Sequence, residues 1–316
     1  MNEELKIRPL VPGADDAAYL NIINRVAQEF PDRTPVAQDE LELRRSMPYF
    51  DPHGQFIAEL DGHAVGIGLG EMNPLDTNRI GWVSASVLPE FRRRHIGIAL
   101  AETAMQGLRV RGAKKLMSDT REENTAGIAF LNSLGFKECR TESWMRRHLE
   151  HLPSGVRENT AVRIRETTLD DDDLQLTVEL INEAFKEEWD FTPVNVEARR
   201  KRATELTRQG GTIQTLVAMV EGQAAGMVQA MISTREIAAL KVQRGTLLGL
   251  CVLKPFRQQG IATALMLRGL QFLQDHGMTE AELFVDNSNP AKALDIYLKL
   301  GFRVVRKILD YEAANG

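Results

Sequence analysis

The sequence predicts a mixed α/β fold written twice: two tandem copies of one domain, each a mixed, mostly antiparallel sheet flanked by helices. Three observations carry this. Val87-Leu88-Pro89-Glu90-Phe91-Arg92-Arg93-Arg94-His95-Ile96-Gly97-Ile98-Ala99-Leu100 aligns without a gap on residues 252–265, a shift of 252 − 87 = 165. Asn-Ser-Leu-Gly-Phe at 132–136 matches Leu-Lys-Leu-Gly-Phe at 298–302, a shift of 301 − 135 = 166. Each half also begins with apolar runs joined by hairpin signals and ends with strands separated by helical patterns, the order of a mixed sheet.

Composition agrees. At 316 residues the chain is long enough for two domains of ordinary size. With 43% hydrophobic and 26% charged residues it reads as globular. A net charge of -5 and a pI of 5.8 argue against a general nucleic-acid surface. The 2 cysteines, Cys139 and Cys251, have no CxxC or His-rich partner motif, which argues against disulfide or zinc and for two buried thiols. The N-terminus lacks a basic region followed by an apolar core, and no apolar run approaches the ~18 residues of a membrane span. A cytoplasmic protein is the expectation.

In the first copy, 5–10 reads as a short strand, and Asp15 and Asp16 can cap a helix running to about residue 30. A short helix follows near 38–46. The runs 55–60 and 63–70 form a hairpin through Asp61-Gly62. The next strand is 79–88. Helical spacing over 98–111 stops at Gly112. Then come a strand at 115–119, a helix at 125–134 ending on Gly135, and a closing strand at 136–147. The stretch 149–160, with Pro153, Ser154 and Gly155, reads as the linker between domains 1–150 and 160–316.

The second copy repeats the order: strand 162–168, helix 170–186, helix 195–209, and a hairpin of 215–220 with 223–234 through Glu221-Gly222. Strand 244–253, helix 261–276, strand 280–286, helix 290–300 and strand 302–311 complete it. The acidic run 170–173 is expected to serve helix capping, since four adjacent carboxylates cannot converge on one ion. No metal is expected.

Chemistry concentrates where the strand at 244–253 turns into a helix. A helix N-terminus offers unpaired N–H groups and about half a positive charge, hence an anion site. Gly260 permits backbone conformations closed to other residues, and Ala262 and Thr263 are small enough to let a diphosphate approach. Arg257-Gln258-Gln259-Gly260-Ile261-Ala262 resembles the R/Q-x-x-G-x-G/A signature of the GNAT acyltransferase superfamily, and the order of elements resembles its fold over nearly the whole of both halves. The layout is similar to the tandem, mycothiol synthase-like members.

The resemblance implies acetyl-CoA as co-substrate, with its pyrophosphate held by the 259–263 amides and the charge of Arg257. It implies a central strand splayed from its neighbour, with Leu250, Val252 and Leu253 beside the thioester and Asn289 holding the pantetheine. Tyr297, four residues before Gly301-Phe302, stands where the family places the acid that protonates the departing thiolate. The strand carries no Glu or Asp to accept the amine proton. A water chain, or Glu187 or Glu188 from the loop Phe185-Lys186-Glu187-Glu188-Trp189-Asp190-Phe191-Thr192-Pro193, can substitute. That loop is similar to a Phe-x-x-x-Trp-x-x-x-Pro stretch of tandem relatives, and both local packing and substrate contact remain open for it.

The first copy departs from the pattern. His95 stands at the position of Gly260 and Leu131 at that of Tyr297, so the proton donor is gone. Arg92, Arg93, Arg94 and Gly97 remain, either as a phosphate corner or as a solvated turn. The expectation is an acetyltransferase with a catalytic second half and a degenerate first half, acting on a primary amine of a small molecule or peptide. Two readings stay beside it: a non-catalytic acyl-CoA-binding module and an aminoacyl-tRNA-dependent transferase of the same fold. A nucleotide hydrolase is disfavoured, since no Gly-Lys-Ser/Thr follows the glycine.

Overall fold

A computed structural model describes residues 4–30, 32–152, 162–188, 191–288 and 293–313. The first half carries β1 (Leu5–Pro9), α1 (Asp16–Ala27), α2 (Gln38–Arg45), β2 (Gln55–Leu60), β3 (His63–Met72), β4 (Ile80–Val87), α3 (Ile96–Val110), β5 (Lys115–Arg121), α4 (Thr125–Ser133) and β6 (Lys137–His148). The second carries β7 (Val162–Glu166), α5 (Asp171–Phe185), α6 (Val196–Arg208), β8 (Thr212–Val220), β9 (Gln223–Ile232), α7 (Thr234–Leu240), β10 (Arg244–Val252), α8 (Ile261–Asp275), β11 (Glu280–Asp286), α9 (Ala293–Lys299) and β12 (Arg303–Ala313).

Two compact units result, and they are not cut at the repeat boundary. One comprises Met1–Arg140 with Ile308–Gly316, the other Thr141–Lys307. The first unit's strands run β1-β2-β3-β4-β5-β12 and the second's β7-β8-β9-β10-β11-β6. The closing strands are therefore exchanged: β12 pairs antiparallel with β5, and β6 with β11. The sequence pattern assigns each closing strand to its own copy, whereas in the structure each closes the other's sheet. The physical reason is the repeat itself. Two sheets of one design offer equivalent edges, and Leu309, Tyr311 and Ala313 join the first core while Met145 joins the second.

Local chemistry explains most elements. Asp61 and Gly62, like Glu221 and Gly222, all take positive φ, the two-residue hairpin geometry that suits strand twist. Asp170 caps α5 by accepting the Asp173 N–H at 2.8 Å, as the acidic run predicts. Asp15 does not cap α1. It accepts the Val11 N–H at 2.7 Å and a forked pair of bonds from Arg8, which hold its carboxyl down at about 2. In place of a strand continuing to 234, the chain forms α7, its N–H of Glu236 bonded by Ser233 Oγ. Cys139, expected inside, is exposed, while Cys251 is buried and its thiol is pushed up to about 12 by burial. Among the described residues no group of side chains could hold a metal ion, and no helix is long and apolar enough to cross a membrane.

Candidate active site

In the second unit, β10 runs parallel to β11 for three positions, Arg244–Thr246 against Glu280–Glu282, and the two strands then part. Beyond Thr246, β10 stays bonded to β9 alone, leaving one backbone edge turned toward the gap. A bulge lies between Leu248 and Cys251, where Gly249 takes φ 59. In the first unit, β4 parts from β5 after Trp82 in the same way but without a bulge. The repeat offset records the difference. Trp82 and Thr246 are equivalent by their pairing with β5 and β11, and 246 − 82 = 164, whereas 252 − 87 = 165. The added residue belongs to the bulge.

The turn after β10 has two left-handed residues, Gln258 at φ 62 and Gly260 at φ 80. Arg257 Nε donates to the Val252 carbonyl at 3.0 Å and Gln259 Nε2 to the Pro255 carbonyl at 3.3 Å, which fixes the corner. The first intrahelical bond is Ala264 N–H to Gly260 O at 3.0 Å, so the N–H groups of Ile261, Ala262 and Thr263 precede the ladder. A methyl group built at Gly260 would meet nothing within 4 Å. An open approach, three leading amides and the positive end of a 15-residue helix suit a diphosphate. Leu250 and Val252 pack toward the α8 core, and Cys251 and Leu253 toward α5.

Tyr297 lies on α9, buried, its ring edge-on to Phe302 with centroids 6.1 Å apart. Burial pushes its phenol well above the usual tyrosine range, and the charge of Glu188 adds to the shift. The phenol is thus kept protonated and within the electrostatic reach of Glu188, which is half-buried in the turn after α5. Glu187 is instead exposed and paired with Lys254 at 2.6 Å. Asn289 and Trp189 lie outside the described residues.

Two groups of residues were not found from sequence. Arg199, on α6, is half-buried, and its Nε is enclosed without a hydrogen-bond partner. Burial pulls its guanidinium down to about 10. It and Cys251 lie close enough for each to bias the other's charge. The second group surrounds Glu282, which pairs in register with Thr246 and Arg146. It accepts from Trp144 Nε1 at 2.9 Å and Arg146 Nε at 3.1 Å, with Arg244 Nε 3.6 Å away. Trp144 stacks on Phe284 at 5.2 Å. Glu236, facing this group, has its carboxyl raised by burial and then by Glu282. Trp144 and Arg146 come from the exchanged strand, so reading the second half alone could not supply them.

The family model described as Acetyltransferase (GNAT) family matches residues 22–136 and again 174–302. The chain belongs to the GNAT acetyltransferase family. Its sequence is similar to the mycothiol acetyltransferase of Streptomyces griseus, 31% identical over 135 residues, 42% of this chain and 43% of that protein. The same enzyme of Thermobispora bispora is 30% identical over 149 residues, 46% of this chain and 50% of that protein. The chain spans about half the length of these relatives. Among solved structures, a tandem GNAT protein from the clavulanic acid biosynthesis pathway has the same fold over 99% of both chains, TM-score 0.77 at 18% identity. A GCN5-related N-acetyltransferase from Sphaerobacter thermophilus covers 98% of this chain and 95% of its own, TM-score 0.70 at 20% identity.

Within this GNAT pair the first unit keeps the frame and changes the contents. Its turn has the same left-handed pair, now Arg93 at φ 64 and His95 at φ 60. Arg92 Nε donates to Val87 O at 3.1 Å, matching Arg257, but its two terminal nitrogens bond Glu29 at 2.8 and 2.7 Å. Arg94 lies over the Phe91 ring, and Gly97 faces Phe130. A second internal marker aligns the helices opposite the α3/α8 face. Asn24 bonds Val36 through both its amide atoms, and Asn182 bonds Val194 likewise, so 182 − 24 = 194 − 36 = 158. Applying 158 places Phe30 at Glu188 and Leu41 at Arg199, while 166 places Leu131 at Tyr297. Leu41 and Leu131 are core residues. At three equivalent positions, one GNAT copy has an apolar residue and the other a polar, ionisable one.

Proposed function

We propose that the second unit transfers an acetyl group from acetyl-CoA to a primary amine by direct attack of the amine on the thioester. The observation that carries this is the pair Glu188 and Tyr297 beside a splayed, bulged strand, set against Phe30 and Leu131 in the first copy. Acetyl-CoA supplies the activated acetyl group and a thiolate leaving group. The amides of Ile261, Ala262 and Thr263 hold its diphosphate, with the N-terminal end of α8 behind them and Arg257 fixing the corner. The open edge of β10 binds the pantetheine as an added strand would be bound, and its N–H groups favour negative charge on the reacting carbonyl oxygen. Glu188 accepts the proton of the incoming ammonium, directly or through water, and Tyr297 donates its phenolic proton to the departing sulfur.

A proton donor must hold its proton until the step that needs it, and burial keeps Tyr297 neutral across the physiological range. The first unit, with leucine at this place, has no such donor and acts as a supporting copy. Similar proteins are named mycothiol acetyltransferases, which makes a small-molecule amine the first acceptor class to test. The test is thiol release from acetyl-CoA over a panel of small amines and peptides, repeated with Tyr297→Phe and Glu188→Gln. Release with the parent chain and its loss in both variants supports the reading. CoA binding without release on any amine would replace it with a binding module.

A further inference from the structure

Arg199 is an arginine where the fold calls for a leucine. Its counterpart, Leu41, is 1% exposed in a cluster with Ile22, Ile67 and Leu88. α6, which carries Arg199, packs on α5 and β8, whose Leu180 and Val217 are buried in one apolar cluster with Met227 and Cys251. A guanidinium placed in such a setting is ordinarily matched by a carboxylate. Arg244 has Glu280, Arg146 has Glu282 and Arg45 has Asp16. Arg199 has none among the described residues. Its Nε is enclosed without a partner, and the charged neighbour that disfavours its guanidinium further is Arg202. Arg202 is of like sign and cannot serve as counter-ion.

We infer that Arg199 binds a carboxylate that a reactant carries into the second unit's site. The inference rests on the transferase reading above. α6 packs on α5, and α5 packs on β10, the strand read as the thioester wall, with Arg199 within electrostatic reach of its Cys251, so the carboxylate belongs on that side of the reacting groups. Two sources share this chemistry. The carboxylate can sit on the amine acceptor, as in an amino acid or peptide C-terminus, or at the far end of a dicarboxylic acyl chain. In either case the guanidinium fork gains the planar, two-oxygen partner for which its geometry is suited. Desolvation that disfavours the empty site becomes discrimination, because a reactant without the carboxylate leaves the guanidinium unpaired.

Arg199→Leu is the informative variant, since the first copy shows that this helix position accepts leucine. Thiol release is measured on matched acceptors, each free carboxylate against its amide, with acetyl-CoA and then succinyl-CoA. The expected result is a preference of the parent chain for one carboxylate-bearing partner. In Arg199→Leu, KM for that partner rises by about 10–100-fold, while KM for its uncharged match is unchanged. Arg199→Lys recovers part of the loss. Preference among acceptors assigns the carboxylate to the amine, and preference for succinyl-CoA assigns it to the acyl chain. A carboxylate preference that survives Arg199→Leu, or transfer with no preference, overturns the inference. If no amine releases thiol, the transferase reading fails and a second readout decides Arg199. Succinate at constant ionic strength should then raise Tm in the parent chain and not in Arg199→Leu, and an equal shift in both would refute carboxylate binding.

Discussion

The Tyr297 ring meets Phe302 edge-on, at an interplanar angle of 65°, while its phenol lies in the field of Glu188. Tyr297→Phe keeps the ring contact and deletes the one proton the side chain can give. Positioned acids commonly contribute about 10²–10⁴ in rate, so kcat should fall at least about tenfold with CoA affinity and Tm nearly unchanged. Wild-type turnover in this variant would move the proton donor elsewhere.

Ala262 contributes one of the three N–H groups that precede the α8 hydrogen-bond ladder. Ala262→Glu sets a carboxylate where a diphosphate is to sit, adding bulk and like charge at once. CoA binding measured by calorimetry should be abolished, whereas the matching change Gly97→Glu in the first unit should leave second-unit turnover in place. Undiminished affinity in Ala262→Glu would remove the turn from the binding site.

Gly226 lies against the bulged part of β10. A Cβ there would collide with the Cys251 carbonyl and come within 3.0 Å of the Val252 Cα, both backbone, so the strand itself must shift. At the equivalent Gly66 the nearest atom is a movable one, Leu100 Cδ1 at 2.9 Å. Gly226→Ala should therefore cost about 1–3 kcal/mol in denaturant unfolding and lower kcat, with Gly66→Ala the milder change. Equal effects at the two sites would show that the bulge does not stiffen β10.

Cys251 makes stability fall on the alkaline side. Its thiol ionises near 9 when exposed and at about 12 when folded, because burial penalises the thiolate. Below 9 both states are protonated and the stabilisation is complete. Between about 9 and 12 the unfolded chain alone releases the proton, so stability falls with pH by up to about 1.4 kcal/mol per unit. Cys251→Ala should flatten that slope in urea melts taken from pH 8 to 11. An unchanged slope would assign the alkaline loss to other groups.

The repeat, the hairpins and the anion turn were legible because they depend on short stretches whose residues have few alternatives: Asp61-Gly62, Glu221-Gly222 and Gly260 dictate local backbone. The exchange of β6 and β12 was not, because two sheets of one design offer equivalent edges for a closing strand. Arg199 was hidden for a related reason. The offset of 158 that equates it with Leu41 applies before the hairpins, where no shared motif reveals it, and a charged residue on a helix reads as a solvated one. α7 was missed because its seven residues, Thr234–Leu240, follow an apolar strand without a break in pattern.

The exchanged strands bear on how the protein comes into being. Ser118 waits for Tyr311, 311 − 118 = 193 residues later, before its edge of the first sheet is covered. A nascent chain that has emerged through residue 148 holds a first sheet with a bare flank, and the same chain has already made the strand, β6, that its unborn second sheet needs. Neither half can finish first, and such distant pairings make completion slow. Nor can either half be discarded: a lineage free to let one copy drift must still translate it, because each copy supplies the strand that seals the other's sheet.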